Sequence, residues 1–266
     1  AIHAHVGQSL EELERCVERH GCTPAQFLQR NGVLDAEARL LLVHSMFVTS
    51  RDIKLLSPQR HYLGLCPSSA IQFGFPCDFP AWHQAGLKIC LGSDAACSND
   101  SMNVQQEMRS LAGGAVFGVH TSPDARSFIA TGSIEDARRV QAQRNEILKQ
   151  SSPLNDPSVL LDTVWKNPGE FSRQLPVGKI EKGHLANLLV VNCDHACLWP
   201  NLDPMRGLAF ADVANAIEGM CVSGKWVGER GDFRRSIIGS DLYKEHLAEA
   251  NARIKNLMKR AGYATD

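Results

Sequence analysis

The chain has 266 residues, 44% of them hydrophobic and 21% charged, an ordinary globular composition able to bury one large core or two modest ones. Its 28 basic and 29 acidic residues leave a net charge of −1, so no broad electrostatic field draws it to nucleic acid or to an acidic membrane. No apolar run approaches the roughly 20 residues that span a bilayer, and the opening Ala1-Ile2-His3-Ala4-His5 lacks the basic and apolar regions of a signal peptide.

In chain order, Ile2 to Val6 is a β-like run with no initiator Met before it, which suggests a fragment or a processed chain. Ser9 with Glu12 three residues on is a capping-box start for a helix through about Glu18. Pro24 opens a second helical turn that Asn31-Gly32 ends. Leu40-Leu41-Leu42-Val43 is wholly apolar, as a buried parallel strand should be. Arg51 to Leu56 is expected to be the helix after it, and Tyr62-Leu63-Gly64-Leu65 a third strand. Phe79 to Ala85 reads as a helix closed by Gly86, with Leu87 to Leu91 as a fourth strand. Four β/α units in succession predict an α/β fold with a parallel sheet.

The middle, from Ser101 to about Gln174, is expected to be mainly helical, with a long charged helix from Ser133 through Lys149 and another starting at Asn155-Asp156-Pro157. Beyond Gly178 the segments turn β-like: a strand over Leu188 to Val191 and a hairpin over Gly219 to Val227 that turns at Ser223-Gly224. Ser240 to about Arg260 reads as a final amphipathic helix. The nine cysteines are odd in number and never spaced Cys-x-x-Cys. Cys193 and Cys197 beside His195 make a loose cluster that could take metal adventitiously, but the better reading is reduced, mostly buried thiols in a cytosolic protein.

Catalytic groups of parallel β/α barrels sit at the C-terminal ends of strands. That rule picks out His5, His44, Cys66-Pro67 and Asp94, one group per strand. Each has a plainer alternative: His5 as a satisfied polar residue, His44 as a hydrogen-bonded core histidine, Asp94 as the cap of a helix beginning near Ser98 or Asp100. Two histidines and an aspartate at successive strand ends nevertheless form a coherent metal-site pattern. No Gly-x-Gly-x-x-Gly follows the first strand and no phosphate loop occurs, which disfavours a nucleotide-binding domain.

The stretches around these residues resemble the amidohydrolase superfamily, in its branch of cyclic-amidine deaminases and triazine chlorohydrolases. His-Ala-His-Val-Gly-Gln-Ser-Leu-Glu-Glu at the N-terminus resembles the family's strand-five motif, Leu42-Val43-His44-Ser45 its strand-six motif, and Cys66-Pro67-Ser68-Ser69 its strand-seven motif. Leu91-Gly92-Ser93-Asp94-Ala95-Ala96-Cys97-Ser98-Asn99-Asp100 is the most specific match, to the strand-eight segment carrying the aspartate. The run from Gly178 to Leu188 resembles the link into the family's small β domain, and Val222 to Val227 that domain's terminal hairpin.

The resemblance implies the C-terminal half of a TIM-like (β/α)8 metallo-hydrolase barrel, strands five to eight, with part of a small β-sandwich domain. The implied division is a partial barrel with a helical extension over 1–176, part of the small β domain over 177–235, and a C-terminal helix over 236–266. It implies a divalent metal, zinc first and iron as an alternative, with His5 and Asp94 as ligands. Asp94, His44 and Gln8 become the catalytic positions, and His44, Gln8, Ser69 and Asn99 the substrate contacts. The implied reaction is hydrolysis of a non-peptide C–N bond of a nitrogen heterocycle. A triazine-type chlorohydrolase using the same site, or a truncated non-catalytic relative, are the alternatives.

Two departures stand out. The family's strand-five Glu is here Gln8, whose amide hydrogen-bonds but supplies no titratable proton, and the strand-one His-x-His pair is absent. His120, His184 and His195 fall in loop or linker contexts and do not replace it. The implied partners are a small heterocyclic substrate and either a second copy of the chain or a missing N-terminal half. Nucleic acid and membrane are not implied, and the implied location is cytoplasmic.

Overall fold

A computed structural model of the chain describes residues 1–76, 78–116, 122–172 and 174–263. It separates into two compact units, Ala1–Glu181 with Asp203–Ala211, and Lys182–Leu202 with Asp212–Asp266. The first unit thus runs to Glu181 and takes in a short later segment, and the terminal helix is grouped with the second unit. Among the described residues no helix is long and apolar enough to cross a membrane.

In the first unit four strands, β1 (Ile2–Val6), β2 (Leu40–His44), β3 (His61–Leu65) and β4 (Lys88–Leu91), form one all-parallel sheet in the order β1-β2-β3-β4. Side chains alternate between the two faces of such a strand. On one face Val6, Leu40, Leu42, Leu63, Leu65 and Ile89 join the core with Phe79, Trp82, Leu111, Leu154 and Leu160 of the helical segments. On the other face the register aligns His3 and His5 with Leu41 and Val43, and these with Tyr62 and Gly64, then Cys90. Gly64 sits tightly there: a Cβ would stand 3.1 Å from Val43 Cγ2 and 3.3 Å from Leu41 Cγ, so those side chains would have to give by a few tenths of an ångström. At the outer edge of β4, Asn167 Nδ2 donates to the Ile89 carbonyl at 2.9 Å.

Helix boundaries follow their caps. Ser9 Oγ accepts from the Glu12 amide and starts the helix Leu10–His20, which runs past Glu18 to a left-handed Gly21 cap at φ 65°. The capping box itself does not close: the Glu12 carboxylate accepts from the amides of Gly7 and Gln8 at 2.9 and 2.8 Å instead. The helix expected to reach Leu56 is a single turn, Ser50–Ile53. Its buried Asp52 accepts from the Thr49 amide and from the Thr23 and Thr49 hydroxyls, and Pro58 downstream bars helical geometry at Ser57. Ser133 and Asp156 cap Ile134–Ser151 and Pro157–Val164.

The second unit holds a three-stranded antiparallel sheet, β5 (Leu188–Val191), β6 (Ile217–Val222) and β7 (Lys225–Val227), in that order. Ser223 and Gly224 turn the β6–β7 hairpin at φ 51° and 80°, the pair of positive angles a type I′ turn needs. Asn187 Oδ1 accepts from the Ser223 amide at 2.7 Å and ties the turn to the segment before β5. The helix Asp241–Arg260 is capped by Ser240 as its sequence predicts, yet none of its residues is buried, and Leu242, Leu247, Ile254 and Leu257 are exposed.

Candidate metal and catalytic site

The sheet brings one chemical group from the end of each strand of the first unit toward a cavity of about 350 Å³. His3, His5, His44, Cys66, Cys90 and Asp94 are among its lining residues. β1 delivers His5, whose Nδ1 lies 3.2 Å from Gln8 Oε1 and whose ring meets that of His44 edge-on, with centroids 4.7 Å apart. Gln8 is held in place through its backbone by Glu12, four residues on in the first turn of the helix Leu10–His20.

β2 ends at His44 and Ser45, both with left-handed backbone, φ 69° and 55°. Non-glycine residues accept that conformation at a cost of order 1–3 kcal/mol, and such strain clusters at functional sites. Here the Ser45 amide donates to Val6 O and the Phe47 amide to Gly7 O, so neighbouring β1 holds the turn. His44 is 4% exposed and its Nε2 has no hydrogen-bond partner among the described residues. Burial, more than any neighbour, pushes its pKa down; His5 adds to this and Asp94 opposes it. The ring is held toward the neutral form that accepts a proton or a metal.

β3 ends at Leu65, so Cys66 begins the turn into the helix Pro67–Gln72. Its thiol is buried, and burial first, then the Asp94 and Glu107 carboxyls, push its pKa up to about 12. Asp94 lies three residues beyond the end of β4 at Leu91 instead of closing the strand, again with a left-handed backbone at φ 61°. One carboxylate oxygen accepts from Ser69 Oγ at 2.8 Å and the other from the Ala95 amide at 2.7 Å. Burial alone would raise its pKa, but these donors together with His44 outweigh burial and hold Asp94 below the ordinary carboxylate range. Its helix-capping alternative does not apply, because the helix Ala96–Asn99 carries no side-chain cap.

The other proposed contacts are placed differently. Gln8, Ser69 and Asn99 are not among the cavity's lining residues. Ser69 gives its hydroxyl to Asp94, and Asn99 Nδ2 donates to Ser93 O at 3.1 Å and to Glu107 Oε1 at 2.7 Å. Glu107, fully buried on the helix Val104–Gly114, also accepts from the Ser68 amide at 2.9 Å. It therefore clamps the segments after β3 and β4 together. Nothing in the sequence around Glu107 marks this role, whereas Cys66 already stood out as a strand-end residue.

Among the described residues one group of three potential metal donors is compact: His44, Cys66 and Asp94, whose ligand atoms lie within 4.8 Å of one another. An unpartnered imidazole nitrogen, a sulfur and an ionised carboxylate are the donor types a borderline-soft cation such as zinc accepts, so the residues fit a divalent ion. His5 adjoins the group through His44 without belonging to it. Cys193, His195 and Cys197 form no such group; His195 caps the turn Ala196–Leu198. His184 is half-buried, with its Nδ1 unpartnered among the described residues, and His120 lies outside them. The thiols are less buried than expected: Cys22, Cys66, Cys90 and Cys221 are buried, but Cys97, Cys193 and Cys197 are exposed.

No protein-family model matches the chain. It is 25% identical over 234 residues to the 5-methylthioadenosine/S-adenosylhomocysteine deaminase of Aquifex aeolicus, covering 88% of this chain and 47% of that protein. With the enzyme of the same name from Pelotomaculum thermopropionicum it shares 27% over 261 residues, covering 97% of this chain and 52% of that protein. The structure aligns with an adenosine deaminase from Xanthomonas campestris with bound zinc at TM-score 0.71 and 20% identity, covering 94% of this chain and 49% of that one. Atrazine chlorohydrolase TrzN from Arthrobacter aurescens complexed with zinc aligns at TM-score 0.69 and 17% identity, over 94% and 48%. The chain spans about half the length of the curated relatives it matches. By sequence it is similar to 5-methylthioadenosine/S-adenosylhomocysteine deaminases, and by fold to zinc-bound adenosine deaminase and atrazine chlorohydrolase structures, over about half of each.

Proposed function

We propose that this chain is the strand-five-to-eight half of a metal-dependent (β/α)8 amidohydrolase barrel with part of its small β domain. The complete protein would hydrolyse a C–N bond of a nitrogen heterocycle of the kind that 5-methylthioadenosine presents, releasing ammonia. The observation that carries this reading is the convergence of His5, His44, Cys66 and Asp94, from four adjacent parallel strands, on one cavity. The half-length match to deaminases agrees with it.

In the complete barrel His5 and Asp94 would hold a divalent ion, most simply zinc, with further ligands from the other half. Such an ion lowers the pKa of water toward neutrality and so supplies hydroxide at neutral pH. Asp94, kept ionised by Ser69 and the Ala95 amide, takes the proton of the attacking water as it adds to an sp² ring carbon. The neutral His44 ring contacts the water or the heterocycle. Gln8, beside His5, hydrogen-bonds the ring, and Ser69 and Asn99 support the same subsite.

Gln8 favours one variant. Ammonia leaves as a protonated group, whereas chloride leaves without a proton, and an amide at this position has no proton to give. A chlorohydrolase-type reaction therefore suits Gln8 at least as well as deamination. The exposed edge of β1 also favours association with the complementary half or with a second copy.

The test is to supply a relative's N-terminal half, in trans or by fusion, and measure turnover on a panel of amino- and chloro-heterocycles. Metal-dependent turnover that Asp94→Asn abolishes is the expected result. A fully metallated complete barrel inactive on every member of the panel would move the reading to a non-catalytic relative. Comparison of Gln8→Glu with the native chain then separates the leaving groups. A gain of about 10²- to 10⁴-fold on amino substrates alone would mark a proton-shuttle position.

A further inference from the structure

We propose that this chain by itself binds one borderline-soft divalent cation, zinc by preference, at the trio of buried His44, buried Cys66 and partly buried Asp94, with Cys66 as a thiolate ligand. This goes beyond the site of the complete barrel, from which it differs in every donor but Asp94. The two arrangements exclude each other, since both need that carboxylate.

The donors stand close to a coordination sphere. Ligands bonded to one tetrahedral zinc at 2.0–2.3 Å lie about 3.3–3.7 Å from one another. The three atoms here already fall within 4.8 Å, so side-chain rotations moving them by about an ångström close the sphere. They come from the ends of β2, β3 and β4, three strands paired to each other in continuous register. His5 is less well placed: it stands on the exposed strand β1, outside the group, with Nδ1 already against Gln8.

The surroundings resemble a built site. His44 is 4% exposed and its Nε2 is buried without a partner, a polar atom that a cation would satisfy. Ser69 Oγ and the Ala95 amide orient the Asp94 carboxylate. Outer hydrogen bonds of this kind fix ligand orientation in metal sites. An N, S, O donor set with an open fourth position selects zinc or cobalt over magnesium or calcium, which prefer all-oxygen sites. Binding exchanges the thiol proton for the cation: an S–metal bond forms, the S–H bond breaks, and one proton passes to solvent for each ion bound.

Titration of the purified chain with Co²⁺, followed by absorption, tests this directly, because a thiolate ligand adds an intense sulfur-to-cobalt charge-transfer band in the near ultraviolet. The expected result is that band, saturating at one equivalent with one proton released and erased by Zn²⁺. Cys66→Ser and His44→Ala should lose it, with binding weakened by more than the roughly 10–100-fold that loss of a supporting residue costs. His5→Ala and the double variant Cys193→Ser/Cys197→Ser should keep it. If Cys66→Ser fails to fold, the native band together with the His44 and double-cysteine variants still decides. No band in the native chain, or a band that survives in folded Cys66→Ser, or one lost in His5→Ala, would overturn the proposal. Those outcomes leave the hydrolase reading intact, since that depends on turnover of the completed barrel.

Discussion

β1 and β3 are five-residue parallel strands of the same sheet, yet every residue of β3 is buried and four of the five in β1 are exposed. Their sequences, Ile-His-Ala-His-Val and His-Tyr-Leu-Gly-Leu, differ less than this contrast suggests, since both carry histidine among apolar residues. The difference is one of neighbours. β3 is paired on both sides, while β1 pairs only with β2 among the described residues. Parallel strands normally have both faces covered. Cohesion is therefore concentrated in β2 to β4 and their helical cover, and one donor of the candidate site, His5, sits on the least supported strand.

The largest effect should come from the covered side. Leu63→Ala removes a fully buried side chain from the centre of β3 and should cost about 2–5 kcal/mol in urea unfolding. A loss well under 1 kcal/mol would mean that the β3 core is not what holds the unit together. Glu107→Ala should come next. It leaves the Ser68 amide and the Asn99 amide group without their acceptor in a buried place, at a cost of about 1–3 kcal/mol. Its weakening of cobalt binding would show that the clamp also serves the site at the ends of β3 and β4.

A pH dependence sharpens the contrast between the two strands. His61, at the start of β3, accepts at Nδ1 from the Ser57 amide at 2.8 Å and lies 3.1 Å from Leu34 O through Nε2, the pattern of a neutral ring. Burial, aided by Arg60, holds its pKa below the ordinary value of 6.5. The unfolded chain then takes up the proton first, so stability is fully present above about pH 6.5 and falls as pH drops toward the folded pKa. The slope is at most about 1.4 kcal/mol per pH unit for one proton. Urea midpoints for native and His61→Gln chains between pH 5 and 7.5 check it, the variant showing the shallower slope. The smallest effect belongs to β1, where Ile2→Ala should change stability by no more than about 0.5 kcal/mol. If it costs as much as Leu63→Ala, then β1 is covered in solution by another chain and the contrast disappears.

Much of this protein is written in local sequence. Ser9, Ser133, Asp156 and Ser240 each start the helix they announce, because a cap needs only a side chain and an amide two or three residues away. The apolar run Leu40–Val43 and the Ser223-Gly224 turn are likewise decided by nearest neighbours. Strand-end positions of His5, His44 and Cys66 follow from those strands, as does the likeness to ring deaminases.

Only the tertiary structure decided the rest. Glu12 leaves its expected partner for Gly7 and Gln8, whose amides the chain leaving β1 brings within hydrogen-bond distance of its carboxylate. Glu107 meets Ser68 across 39 residues and Asn99 across 8, distances over which sequence carries no geometric signal. Whether Ser69 and Asn99 face a substrate or brace a carboxylate depends on what the fold brings beside them, Asp94 from the segment after β4 for Ser69 and Glu107 from the helix Val104–Gly114 for Asn99. Cys66 joins His44 and Asp94 for the same reason: parallel pairing places the ends of β2, β3 and β4 side by side, and the sequence alone holds them 22 and 28 residues apart.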